Sequence, residues 1–336
     1  MFKRVVGGIL MACCFTVLSS GKVEAVLGIP DNVPAATVLV PLLEASIAGA
    51  PNTLIVITNT CDANVTLHWQ IWDVEGTAVN LAGNVALDPY EPWVTDFKGT
   101  AEGSSSGAKS QLTDGTFYRG FLTADLVTSA TNLLPTEGAY PFSSSNCLKG
   151  TVYYVRLSEG AANGIPAVHI EGGLGGGLDG LVRGFYQPDD DREEFDNHAR
   201  VYAEKKTRDL AFVGDADLLL DNIISRVFLA PSLNGETRIV VWAWGVPDRG
   251  TQAPGDGGRG PFTARHRDET GATVATSFLE LRRVVNIITV TGTANGEVWI
   301  ENLPENFNVY AFSFNSAEGS AALTWEAMFE SAIIAE

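Results

Sequence analysis

Six carboxylates crowd one short stretch, Asp189, Asp190, Asp191, Glu193, Glu194 and Asp196. Hard cations such as calcium take six to eight oxygen ligands, and a loop this rich in carboxylates can supply several of them. No glycine stands at the sixth position that an EF-hand loop needs, so a solvated acidic loop is the competing reading. Cys61 and Cys147 have no C-x-x-C or H-x-x-x-H spacing around them, which argues against a zinc site and against covalent haem. In an oxidising compartment two such cysteines pair, and two free thiols are the alternative. Seven tryptophans carry the remaining binding chemistry. Trp242 and Trp244 share a strand face with Val240, and Trp72 shares one with His68 and Gln70. An exposed indole stacks on the apolar face of a sugar ring, whereas an indole between two sheets fills a core. Trp72, with polar strand neighbours, is the first candidate for a ligand platform, followed by Trp242 and Trp244.

Two motifs match catalytic patterns in letters only. Gly103 to Gly107 spells G-x-S-x-G, but a nucleophile elbow needs a strand before the serine and a helix after it, and the surrounding T-A-E-G-S-S-S-G-A-K-S reads as a polar linker. Gly175, Gly177 and Gly180 spell G-x-G-x-x-G without the strand and helix that would place a pyrophosphate. The histidines are His68, His169, His198 and His266, and no Ser-His-Asp choice among them is favoured by spacing. No catalytic residue is assigned. The reading is a non-enzymatic protein, with a secreted hydrolase of unknown substrate as the enzymatic alternative.

The elements that must carry these residues are strands. Thr53 to Asn59 (TLIVITN) is a β-branched run, and Asn64 to Trp72 alternates strictly between two faces. Phe117 to Leu126, Thr151 to Leu157, Ala167 to Glu171, Thr237 to Trp244, Pro261 to Asp268, Phe278 to Thr289, Val298 to Glu301, Val309 to Phe314 and Leu323 to Glu330 continue the pattern. Only Asp215 to Val227 reads as a helix, capped by Asp215 with Leu219, Ile223 and Val227 at four-residue steps. The fold class is therefore all-β, one or two immunoglobulin-like β-sandwiches with at most one short helix. An internal echo runs through the chain. TLIVITN at 53–59, VTLHWQ at 65–70 and EGTAV at 75–79 recur in order as TRIVVWA at 237–243, FTARHR at 262–267 and TGATV at 270–274, which fits either a duplication or shared β vocabulary. The corresponding domains are 26–171 and 200–336. Between them, 172–199 is first glycine-rich and then acidic, a linker or loop.

Residues 1–25 read as a secretory signal. Lys3 and Arg4 precede the uncharged run Val5 to Leu18, and Val23-Glu24-Ala25 places small residues before a cut after Ala25. Cleavage before a lipidated Cys13 is the alternative. The chain has 336 residues, with 22 basic against 40 acidic side chains and a formal charge of −18. Losing Lys3, Arg4, Lys22 and Glu24 with the signal moves that charge to −20. Such a surface repels a phosphate backbone or an anionic bilayer, so nucleic acid is excluded as the main partner. No later stretch is long and apolar enough for a membrane helix.

The segment Ile29-Pro30-Asp31-Asn32-Val33-Pro34-Ala35-Ala36-Thr37, followed by Val38-Leu39-Val40-Pro41 and Glu44, resembles the mature start of a family of secreted bacterial β-rich proteins, mostly labelled hypothetical. Asn52-Thr53-Leu54 with Thr58-Asn59, Asp114-Gly115 with Tyr118-Arg119-Gly120-Phe121-Leu122, and Val168-His169-Ile170-Glu171 also match. The resemblance covers the N-terminal half well and the C-terminal half loosely. It implies export and a β architecture, and brings no catalytic residues. The function expected is a structural or adhesive role at the cell surface or in the extracellular matrix. The alternative is a glycan-binding module, with calcium as a supporting cation. Ala36 to Leu43 is either the first strand of the fold, with Pro41 at an edge, or an extended arm that pairs with a neighbouring copy.

Overall fold

The computed structural model describes residues 34–135, 140–156, 161–170, 223–227, 236–245, 263–278, 283–290, 295–301, 307–316 and 326–328. These form four antiparallel sheets with two short helices among them, an all-β architecture. In the first half, β1 (Thr37–Ser46), β3 (Val65–Trp72), β4 (Ala78–Leu87), β7 (Phe117–Val127) and β10 (Val168–Ile170) lie in the order β10-β1-β7-β3-β4, with β6 (Thr113–Asp114) also on β7. The second sheet runs β5-β2-β8-β9, from β2 (Asn52–Asn59), β5 (Pro92–Asp96), β8 (Leu148–Arg156) and β9 (Ala161–Pro166). The two sheets face each other closely. A Cβ placed on Gly150 of β8 would lie 2.5 Å from Val38 Cγ1 and 2.9 Å from the Ala167 side chain, so only glycine fits there. Trp69 of β3 stacks on Trp93 of β5 at 5.7 Å between the sheets.

The second half repeats this plan. Strands β12 (Glu236–Gly245), β15 (Val285–Val290), β17 (Phe307–Ser316) and β18 (Glu326–Met328) form the order β15-β12-β17-β18. Strands β11 (Ile223–Val227), β13 (Thr263–Asp268), β14 (Thr273–Phe278) and β16 (Gly296–Glu301) form β11-β16-β13-β14. Renaming β11 to β15 as β1 to β5, and β16 to β18 as β7 to β9, reproduces both orders of the first half except for β10, which has no counterpart among the described residues. The echoed sequence pieces therefore occupy equivalent places. The hairpin turns agree in detail. The amide of Gly76 donates to Asp73 O and that of Gly271 to Asp268 O, and each aspartate accepts the main-chain N–H groups two and four residues on. Gly76 and Gly271 adopt φ of 85° and 84°, the left-handed conformation that such a turn demands.

Three expectations change. Ile223–Val227 is a strand paired with β16, not the end of a helix, because its β-branched residues complete a ladder. Residues 215–222 lie outside the described residues. Two short helices occur rather than at most one, α1 (Phe97–Glu102) and α2 (Ser106–Leu112). Asp96 caps the first and Ser105 the second, each accepting a main-chain N–H. The G-x-S-x-G stretch is therefore the junction between two helices rather than a linker, and what precedes its serine is a helix, not the strand of a nucleophile elbow. Thr37 to Leu43 belongs to the first strand of the fold, as expected, paired with β7 and, over Thr37–Leu39, with β10, so no described strand lies beside Pro41 on the β10 side.

Candidate functional site

The most concentrated chemistry among the described residues lies where the halves meet. Glu44 sits on β1 just past a register shift, opposite Arg119 of β7, and is 2% exposed. Arg238 of β12 grips it with two parallel bonds, Nη1 to Oε1 at 3.0 Å and Nη2 to Oε2 at 2.7 Å. The Nε of Arg119 donates to Oε2 at 2.8 Å, and its Nη1 donates to Asp114 Oδ2 at 3.0 Å. Arg283 completes the chain through Nη2 to Asp114 Oδ1 at 2.9 Å. Arg238 and Arg283 come from the second half, and the other three from the first. Burial pushes the Glu44 carboxyl up, but the Arg238 and Arg119 guanidiniums outweigh it and hold the group below its ordinary value. Asp114 is likewise held below its ordinary value, with its two arginine partners overcoming burial.

Aromatic side chains surround this ion chain. The phenol of Tyr154 donates to Leu42 O at 2.8 Å, and its ring meets Phe314 edge-on at 4.7 Å. Burial, reinforced by the nearby Glu44 charge, pushes that phenol well above its ordinary pKa. Trp72 lies flat on Phe121 at 5.9 Å and donates its indole N–H to Thr123 Oγ1, and Trp242 meets Phe121 edge-on at 5.8 Å. With exposures of 3% and 0%, neither indole offers a face to solvent, so the first candidates for a ligand platform fill the seam instead. The side chain of Trp244 lies outside the described residues, as do all six carboxylates from Asp189 to Asp196. One main-chain contact closes the seam. The carbonyl of Val74, at the tip of the β3–β4 turn, accepts the N–H groups of Val284 and Val285 at the start of β15. This turn is covered, and burial raises the Asp73 carboxyl. In the matching exposed turn the Thr270 hydroxyl lowers the Asp268 carboxyl.

A second polar cluster centres on Asp125 and His68. Asp125 accepts from Thr37 Oγ1 at 2.6 Å and from the Tyr140 hydroxyl at 3.1 Å. His68, its neighbour across the β3–β7 ladder, packs edge-on against Tyr140. Its Nδ1–H donates to Asn84 Oδ1, which also accepts the Thr131 N–H. Burial lowers the His68 pKa, so the ring is neutral at pH 7 and serves as a packed polar residue. Cys61 and Cys147 are bonded, with Cα atoms 5.2 Å apart, just beyond the last β2–β8 rung between Asn59 and Leu148.

No family model matches the chain, and no curated protein matches it. Among solved structures, "Crystal Structure of Thermotoga maritima 1070" aligns at 11% identity over 42% of this chain and 98% of that one, with a TM-score of 0.27.

Sequence reasoning missed Glu44, whose partners Arg119 and Arg238 stand 75 and 194 residues away. It also missed the open face of the β5-β2-β8-β9 sheet. There Leu54 and Val56 of β2 lie beside Tyr153 and Thr151 of β8, and Val94 of β5 stands opposite Val56. Val94 is 61% exposed and Tyr153 is 38% exposed. In the second half the same positions are Arg238, Val240, Phe314, Phe312 and Ile287, the face turned into the seam. Period-two alternation was the available signal, since it puts Leu54, Val56 and Thr58 on the face away from Ile55 and Ile57.

Proposed function

We propose that the chain is a secreted, non-enzymatic protein of the cell surface or extracellular matrix, with a structural or adhesive role. The observation that carries this reading is the use made of the ionisable residues. Glu44, Arg119, Asp114, Arg238 and Arg283 are spent on fixing one β half against the other, a task suited to a load-bearing tandem module. The disulfide is consistent with an oxidising compartment, and residues 1–25 supply the expected export signal. No helix among the described residues is long and apolar enough to cross a membrane, which fits a protein held outside by assembly or by a lipid on Cys13. Labelling of intact cells with an antibody, together with N-terminal sequencing of the native protein, tests this. Surface or matrix signal and a start after Ala25, or at Cys13, are expected. A reduced, uncleaved protein in the cytoplasm would sink the proposal.

A glycan-binding role is the second reading, favoured by Tyr153. Its ring covers Gly164 of β9, with a Cβ on that glycine falling 2.7 Å from Tyr153 Cε1, and it stands 38% exposed beside Leu54 on the open sheet face. Asp189 to Asp196 would supply the supporting calcium ligands in this reading. Tyr153→Ala should weaken binding on a polysaccharide array by about tenfold while leaving the melting temperature unchanged, because the ring is half-exposed. Equal binding by both proteins would remove Tyr153 from the site.

A further inference from the structure

We propose that β4 is a self-association edge, at which two copies of this chain pair antiparallel across a two-fold axis and join their sheets. An open edge offers unpaired N–H and C=O groups to any extended strand, and proteins blunt such edges with charge, proline, shortness or a cover. Among the described residues the four sheets present eight edges, and six are blunted. β5 carries Pro92 and Asp96, and β9 ends on Pro166. β10 and β18 have three residues each, and β11 is short and contains Arg226. β15 is covered at its start by the Val74 carbonyl. The two remaining edges are β4 and its counterpart β14, each with a register shift against its inner neighbour, between Ala78 and Ala82 in β4 and between Thr273 and Ala275 in β14.

β4 is the stronger template. It has ten residues against six, with the sequence AVNLAGNVAL, and contains neither charge nor proline. Asn80, Ala82 and Ala86 are exposed, and Asn84 between them holds the Thr131 main chain through both ends of its amide. The occupant follows from the strand's self-complementarity. A two-fold antiparallel pair must set residues of one face opposite each other, which restricts the register to same-parity partners. Centred on Gly83, it places Val79 opposite Leu87 and Leu81 opposite Val85, continuing the apolar inner face, with Asn80 opposite Ala86 outside. Centred on Ala82, it places Asn80 opposite Asn84. No register opposes two charges within the strand. In a chain carrying −18, most other surfaces of two copies repel, so contact is favoured where carboxylates are missing. Glu75 and Asp88 flank the strand, and their repulsion makes the pairing stronger as salt rises. Because the contact is isologous, it closes at two copies.

The test uses sedimentation velocity of the full chain over a range of concentration and salt. Wild type should form dimers, more tightly at higher salt. Asn80→Lys with Ala82→Lys, and separately Asn80→Glu with Ala82→Glu, should each weaken association by about tenfold, because the like charges at 82 then stand opposite each other in the Ala82-centred register and diagonal in the Gly83-centred one. Mixing the lysine and glutamate proteins should restore dimers. Amide exchange of wild type across Ala78–Leu87 should slow as the dimer forms. A wild type that stays monomeric at high concentration overturns the proposal. So do β4 variants that associate like wild type, a mixture that stays monomeric, or β4 exchange that ignores concentration. Loss of the dimer on Val274→Lys in β14, with the β4 variants unaffected, would also overturn it by moving the contact to the other edge.

Discussion

Replacing Glu44 by Gln should cost about 3 kcal/mol or more of unfolding free energy, the largest effect expected of any single side chain in the molecule. The carboxylate is buried and shared by two guanidiniums, so neutralising it removes the anion that Arg238 grips with two bonds and leaves Arg119 with Asp114. Urea unfolding should show a lower midpoint with an unchanged slope. Adding Arg238→Met to Glu44→Gln should recover part of the loss, since a buried cation no longer faces a neutral partner. A fall below about 1 kcal/mol would mean that the ion chain is solvated and adds little. Acid gives an independent check. Glu44 and Asp114 both have folded pKa values below their ordinary ones, so their stabilisation is fully present above about pH 5 and is lost as pH falls through the folded values. Wild type should therefore lose stability steeply below about pH 4, and Glu44→Gln should have a flatter acid limb.

The second large effect belongs to the disulfide. Cys61→Ser with Cys147→Ser should lower stability by about 4 kcal/mol and the melting temperature by about 10 °C, because the bridge closes a long loop in the unfolded chain. The separation is 86 residues, and the loop contains β3 to β7 with both helices. Locally the bond continues the β2–β8 ladder, where the Thr60 N–H already donates to Cys147 O at 2.7 Å. Melts of wild type with and without reductant should differ by a similar amount. Coincident melts would show that the neighbouring ladder holds this end unaided.

The strands were legible because period-two alternation is local, and where both faces are buried, as along β1 and β7, a short apolar run marks the strand instead. The repeat was legible for the same reason, since equivalent strands keep similar inner faces, such as Ile55 with Ile57 against Ile239 with Val241. The character of Trp72 was not. His68 and Gln70 beside it suggested a solvent face, yet Gln70 spends its amide on Ile71 O and Val79 O, and His68 spends Nδ1 on Asn84. A polar residue whose partners are main-chain carbonyls looks no different in sequence from one facing water. The Leu219, Ile223 and Val227 steps misled because a few apolar residues fit both periods in a short window. The ion chain was out of reach, since no local rule links Glu44 to Arg238.

The Val74 carbonyl has a consequence for how far this architecture can extend. It makes the contact between the halves directional, with the turn of the first unit set against the leading edge of the second. A chain built this way could in principle stack indefinitely, the Asp268 turn of one molecule seating on the β5 edge of the next. Strand pairing closes this route. Thr58 stands opposite Pro92 as Trp242 stands opposite Val285, so proline occupies the position whose N–H the turn would need. The preceding residue, Glu91, already donates its N–H to Asp88 O. One missing hydrogen and one committed one leave the β5 edge without the pair of donors that β15 offers to Val74.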